Sequence, residues 1–241
     1  MQENTTKETS LSQILEEAFT YWWKTLGYQV LFSIIYFVIL FGAVYSLAER
    51  FGFLAKYIEL SEKMGTKIDF VEYQKGLQTI INDPNYMTFF WLVLLAVVFV
   101  QPLNLGLMKM YRKMDMNEPP EIQDLFAGYS GVNFFIFIGF YLFWYSVYFL
   151  VGVYFPLMVI WVLITLFSVP LLFFMNKSIF QSVGYNITAL KRYPLQILLC
   201  CMLAVVVKYF GIFTIVGAVF TFPFWNAIIY TLYKTIFREV K

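Results

Sequence analysis

The chain has 241 residues, 61% of them hydrophobic and only 13% charged, with a formal net charge of +2. Soluble domains carry about 25% charged residues, so one aqueous core could not bury this much apolar surface, and the excess implies contact with lipid. The small net charge offers no electrostatic footprint for nucleic acid. The absence of histidine excludes His-ligated haem, most catalytic zinc sites, His-based iron oxygenases and the usual base of serine and cysteine hydrolases.

A bilayer-crossing helix needs about 20 mostly apolar residues. Residues 10–24 open with Ser10, with Gln13 at capping-box spacing. Leu11, Ile14, Leu15, Ala18 and Trp22 then share one face, away from Glu16, Glu17 and Thr20, which predicts an interfacial helix. The uncharged run 25–48 predicts a first span at 26–48. That run exceeds the apolar core of a signal peptide and follows an acidic flank, so it reads as a retained span. The loop 49–83 is dotted with both charge signs, and Asp69 and Glu72 have capping-box spacing for a short helix ending near Asn82. A second span is expected at 86–108. Residues 119–129 follow two prolines and set Ile122, Leu125 and Phe126 against Glu121 and Asp124, predicting a second surface helix.

The run 125–176 is uncharged and too long for one crossing, so it predicts spans at 132–151 and 156–175 with a turn from Gly152 to Pro156. Residues 177–192 place Ile179, Phe180, Val183 and Ile187 together as a third surface helix. From Tyr193 to Tyr233 only Lys208 interrupts the apolar sequence. A single helix of about 40 residues would reach about 60 Å, twice the hydrocarbon thickness. A hairpin at 209–215 is therefore expected, with spans at 194–210 and 214–233. The expected architecture is an all-α polytopic transmembrane helix bundle of six spans, with cytoplasmic interfacial amphipathic helices, forming one integral membrane domain over 1–241.

Lys and Arg distribution sets orientation. With six spans, eleven of the 17 basic residues fall on the side of the termini, including Lys109, Arg112, Lys113, Lys191, Arg192 and Lys234. The other side holds Arg50, Lys56, Lys63, Lys67, Lys75 and Lys208, so both termini are expected in the cytoplasm. The sequons at Asn4 and Asn186 then lie on the cytoplasmic side. A duplication is also suggested. An interfacial helix and a span at 14–37, with Lys24 and Gln29, are echoed at 179–205, with Lys191 and Gln196. The segments 98–102 and 219–223 share the pattern Val-Phe-x-x-Pro.

Candidate functional positions are few. Charges inside membranes usually mark function, and Lys208 is the sole charge within an apolar run, expected to snorkel to the outer interface. Gln101 and Asn104 flank Pro102, and Asn226 follows Pro223. Either proline could break a span and free carbonyls for a ligand, whereas Asn and Gln more often bond between helices. Cys200 and Cys201 are adjacent in an apolar run and suggest no disulfide framework. No Walker loop, Gly-x-Ser-x-Gly or Cys-x-x-Cys occurs.

The interfacial N-terminal helix, Pro102 and Gly106 closing span two, the run Pro119-Pro120-Glu121-Ile122-Gln123-Asp124-Leu125-Phe126, then Ser182, Lys191, Gly217, Pro223 and Tyr230, resemble an uncharacterised bacterial family of six-span integral membrane proteins. That family is related to the membrane domain of glycerophosphodiester phosphodiesterases. The resemblance implies a bacterial inner-membrane location and carries over no phosphodiesterase activity, because that catalytic domain does not appear. The expected role is a non-enzymatic structural or accessory component binding lipid or protein, with no cofactor or metal. The alternative is a transporter or flippase for an uncharged or lipid-like substrate, with Pro102 and Pro223 bending the gating helices. Expected partners are the lipid bilayer, other membrane proteins or a second copy of the chain.

Overall fold

The computed structural model describes residues 10–66, 70–152 and 154–237. Among these the chain is helical, with no strand. In order come α1 (Leu11–Lys24), α2 (Leu26–Arg50), α3 (Phe53–Thr66), α4 (Phe70–Ile81), α5 (Tyr86–Val100) and α6 (Leu103–Asp115). A 3-10 segment, Ile122–Tyr129, leads to α7 (Val132–Val151), α8 (Phe155–Thr165), α9 (Ser168–Met175) and α10 (Ile179–Arg192). Then follow α11 (Pro194–Phe210), α12 (Ile215–Thr221) and α13 (Phe224–Phe237). The expected turns fall at Gly152 and at Gly211, and Pro194 opens α11 where its missing N–H costs nothing. Within 49–83 a further helix, α3, precedes the expected short helix α4. Asp69 lies outside the described residues.

Four helices are long and apolar enough to cross a bilayer: Leu26–Arg50, Tyr86–Asp115, Phe155–Phe174 and Val216–Phe237. Two bent pairs, Ile122–Tyr129 with Phe134–Leu150 and Ile179–Arg192 with Pro194–Phe210, raise the number to six if each is one span. Val38, Phe41, Leu150 and Met202 are exposed, as lipid-facing side chains would be.

The chain divides into two compact units, one of residues 35–100 and the other of 1–34 with 101–241. Within the first, α3 and α4 close over Phe53, Leu60 and Ile80. Lys56 pairs with Asp83 at 2.6 Å. Hydrogen bonds from Lys56 and the Asn85 backbone hold the Asp83 carboxyl below its usual range.

The second unit repeats one device three times, where the sequence suggested two copies. Each copy starts with a segment whose third residue after the cap accepts a hydrogen bond from the cap amide. Gln13 accepts from Ser10 at 3.2 Å, Asp124 from Glu121 at 2.9 Å and Gln181 from Ser178 at 3.0 Å. Each copy ends in a helix broken before its last stretch, giving α6, α9 and α13. Those stretches are buried at their first, third, fourth and fifth residues. These are Leu103, Leu105, Gly106 and Leu107; Ser168, Pro170, Leu171 and Leu172; and Phe224, Asn226, Ala227 and Ile228. The capped segments pack on the preceding stretch: Ile122–Tyr129 on α6, α10 on α9, and α1 on α13, which closes the ring.

α1 and α10 match over their whole length. Ile14, Ala18 and Tyr21 are buried in one, and Ser182, Asn186 and Ala189 at the same offset in the other. The register continues into the next helices, where Gln29, Phe32 and Ser33 correspond to Ile197, Cys200 and Cys201, all buried. Gln29 therefore matches Ile197, one residue away from the Gln196 suggested by sequence.

Two surface segments turn polar groups inward and leave apolar side chains exposed. α10 buries its polar stripe, Ser182 and Asn186, and exposes Phe180 at 74%. Lipid accepts the phenyl ring, whereas the polar groups find partners only inside the protein. In Ile122–Tyr129 only Leu125 of the three apolar residues turns inward, and Ile122 and Phe126 are exposed. Short 3-10 geometry and a close backbone contact with α6 replace the amphipathic helix. A Cβ on Gly106 would meet the Leu125 carbonyl oxygen at 2.2 Å, and one on Gly128 the Pro102 oxygen at 2.5 Å.

Candidate functional site

Pro102 and Pro223 sit at the breaks before α6 and α13, and the polar residues beside them converge. The Asn104 amide donates to the Gln101 carbonyl at 2.9 Å and to Gln101 Oε1 at 3.0 Å. Asn226 Nδ2 donates to Asn104 Oδ1 at 2.9 Å. Gln101 and Asn226 are buried, at 7% and 3% exposure. The three side chains thus bond to one another, as interhelical Asn and Gln commonly do. One turn before Pro223 the Phe220 carbonyl accepts the Trp22 indole N–H at 3.0 Å, so a protein donor already fills one carbonyl near the break.

Lys208 stands apart from this trio. Its ammonium lies 4.5 Å from the centre of the Phe222 ring and 6.0 Å from that of Trp225. Its carbonyl accepts from the Thr221 hydroxyl at 3.4 Å. The contact is cation–π in kind and joins the α11 lysine to the residues around Pro223.

The densest polar constellation joins α1, α6 and α13, and sequence reading passed over it. Lys234 Nζ donates to Glu17, to the Tyr21 hydroxyl at 2.7 Å and to Asp115 Oδ1 at 2.6 Å. The Tyr21 hydroxyl donates to Asp115, and the Tyr230 hydroxyl donates to Asp115 Oδ2 at 2.7 Å. The rings of Tyr21, Tyr111 and Tyr230 lie mutually within 5.3–5.6 Å. Burial first, and then the Asp115 carboxylate, keep the Tyr21 phenol far above its ordinary range, so it acts as a neutral donor. Only the Glu17 to Tyr21 spacing was visible locally; the remaining members come from distant parts of the chain.

A second clamp fixes Ile122–Tyr129 to α6. Asp124 is 2% exposed and receives Lys109 at 2.9 Å and Lys113 at 2.8 Å. Burial alone would raise its carboxyl, but hydrogen bonds from the two lysines and the Glu121 amide outweigh it and hold the group low. A third lies between α9 and α10. Asn186 Oδ1 accepts the Phe167 N–H at 2.8 Å, an amide that the helix break leaves without a helical partner. Ser182 donates to Ser168 at 3.0 Å.

Asn133 and the tail residues Arg238 and Lys241 lie outside the described side chains. Among the described residues, no group of three or more Cys, Asp or Glu is placed to hold a metal ion. The long apolar helices give the chain the character of a multi-pass helical membrane protein. Comparison with known protein families, with characterised proteins and with solved structures finds no match to the chain.

Proposed function

We propose that the chain is a six-span bacterial inner-membrane protein with both termini cytoplasmic, acting as a non-enzymatic component that binds lipid or a protein partner. The observation that carries this reading is the hydrogen-bond chain Gln101–Asn104–Asn226, whose side chains bond to one another, with Gln101 and Asn226 buried, where a transport pathway would need polar groups facing an opening. The three clamps support it, since each spends charge or amide groups on holding helices together. The basic bias toward one side supports the orientation, and the resemblance to the six-span family related to the phosphodiesterase membrane domain supports the location. On this reading α1, Ile122–Tyr129 and α10 form a cytoplasmic collar, and the first member of each bent pair lies at the interface while the second spans.

The test is native mass spectrometry of the protein released from mild detergent, combined with reporter fusions at the two ends. Retained lipid or a retained protein partner, with both reporters cytoplasmic, is the expected result. Reporters on opposite sides would refute six spans. A substrate flux in proteoliposomes that Asn104→Ala or Asn226→Ala abolishes would favour the second reading, a transporter. That reading draws on the helix breaks at Pro102 and Pro223.

A further inference from the structure

The last turns of α6 present Lys109, Arg112 and Lys113. The two lysines share Asp124 at 2.9 and 2.8 Å. Among the described residues, Arg112 has no carboxylate within ion-pair distance; its guanidinium lies 4.6 Å from the centre of the Phe174 ring. All three cations, with Phe173 and Phe174 from α9, line an open concavity of about 300 Å3 between the ends of α6 and α9. Glu118 lines it too, and Glu121 lies 3.8 Å from Lys113. Both glutamates are exposed and well screened by solvent. A guanidinium stacked on an aromatic ring still offers the N–H donors along its edge, in a fork that fits phosphate. The site lies where α6 passes from an apolar sequence to a basic one, the level occupied by lipid headgroups.

We propose that this concavity binds a phosphate ester, that of an anionic phospholipid headgroup. Arg112 is its forked donor, Lys109 and Lys113 are flanking charges, and Phe173 and Phe174 are the apolar wall along which the acyl chains leave. The proposal rests on the lipid-binding reading above and names the lipid class and its contact residues.

The experiment uses the full chain, delipidated in detergent and titrated with phosphatidylglycerol or phosphatidylcholine while adducts are counted by native mass spectrometry. Wild type is expected to favour phosphatidylglycerol. Arg112→Gln is expected to weaken that adduct about ten- to hundredfold, the weight of a hydrogen bond between charged groups, with thermal unfolding unchanged. Lys191→Gln with Arg192→Gln, a basic pair on α10 outside the concavity, is expected to leave it intact. Arg112→Lys, which keeps charge but loses the fork, is expected to fall between. Equal phosphatidylglycerol binding by wild type and Arg112→Gln overturns the headgroup site yet leaves general lipid binding standing. Displacement by inorganic phosphate at concentrations similar to the lipid assigns the site to the free ion and overturns the lipid assignment. Absence of any lipid adduct on wild type overturns both readings.

Discussion

Removing the Asp115 carboxylate tests whether the α1–α6–α13 constellation holds the termini of the second unit together. In Asp115→Ala the Tyr230 hydroxyl, in a residue only 3% exposed, loses its acceptor. An unmet buried polar group costs about 1–3 kcal/mol. Tyr21 still reaches Glu17 at 3.1 Å, and Lys234 keeps Glu17 as well. The lost Lys234–Asp115 pair joins side chains 17% and 25% exposed, so it adds only about 0–1 kcal/mol. Taking the middle of each range, the expected destabilisation is about 2–3 kcal/mol in total. For a chain of this size that corresponds to a fall of roughly 5–10 °C in the midpoint of thermal unfolding, followed in mild detergent by near-UV circular dichroism. Asp115→Asn retains an acceptor for Tyr230 and should cost about 1 kcal/mol. Adding Tyr230→Phe to Asp115→Ala should recover part of the loss, because a pair removed together leaves nothing unmet. A midpoint for Asp115→Ala within 1 °C of wild type, or no recovery in the double variant, would refute the reasoning.

Gly106→Ala should destabilise by about 1–3 kcal/mol or prevent folding, since its Cβ would meet Leu125 backbone atoms rather than a movable side chain. Gly184→Ala, with open space around it, should be neutral or slightly stabilising in the same melt. For Asp124 the folded carboxyl lies below its ordinary value of 3.8. Its stabilisation is therefore full above that value and is lost as pH falls through the folded one. Acid titration of unfolding midpoints should show wild type losing its advantage over Asp124→Asn below about pH 4; parallel curves through that window would count against the clamp. Asn186→Ala should cost about 1–3 kcal/mol by orphaning the buried Phe167 N–H. Hydrogen exchange at Phe167 no faster than in wild type would contradict that assignment.

The helices themselves were legible because uncharged runs and punctuating residues are local signals. Charge at Lys24, Gly152 with Pro156, and Gly211 delimit elements that the fold contains within a few residues. The capping boxes at Ser10 and Ser178 were equally local, and the first was read correctly for that reason. What the sequence left open was which polar groups turn inward. In water the apolar stripe of α10 would turn inward; beside lipid the stripe carrying Ser182 and Asn186 does so, and hydropathy alone cannot tell the two solvents apart. Gln101, Asn104 and Asn226 stood out as polar residues beside prolines, but the Asn104–Asn226 contact depended on geometry across 122 positions. Asp115 was invisible because it looks like one more loop charge. Only the meeting of three helix ends gives it Tyr21, Tyr230 and Lys234 as neighbours.

The closure of the ring by α1 has a kinetic consequence. Glu17 and Lys234 are separated by 217 residues. At ordinary synthesis rates of about 5–20 residues per second, α1 waits roughly 10–40 s for the helix it docks on. During that interval its apolar face has only the bilayer surface as a partner, so its amphipathic character protects the nascent chain before it serves the finished one. Assembly therefore ends with a docking step of very high sequence separation, the slow kind of contact in any folding reaction. A chain interrupted before α13 would leave α1 lying on the membrane as an unclosed end.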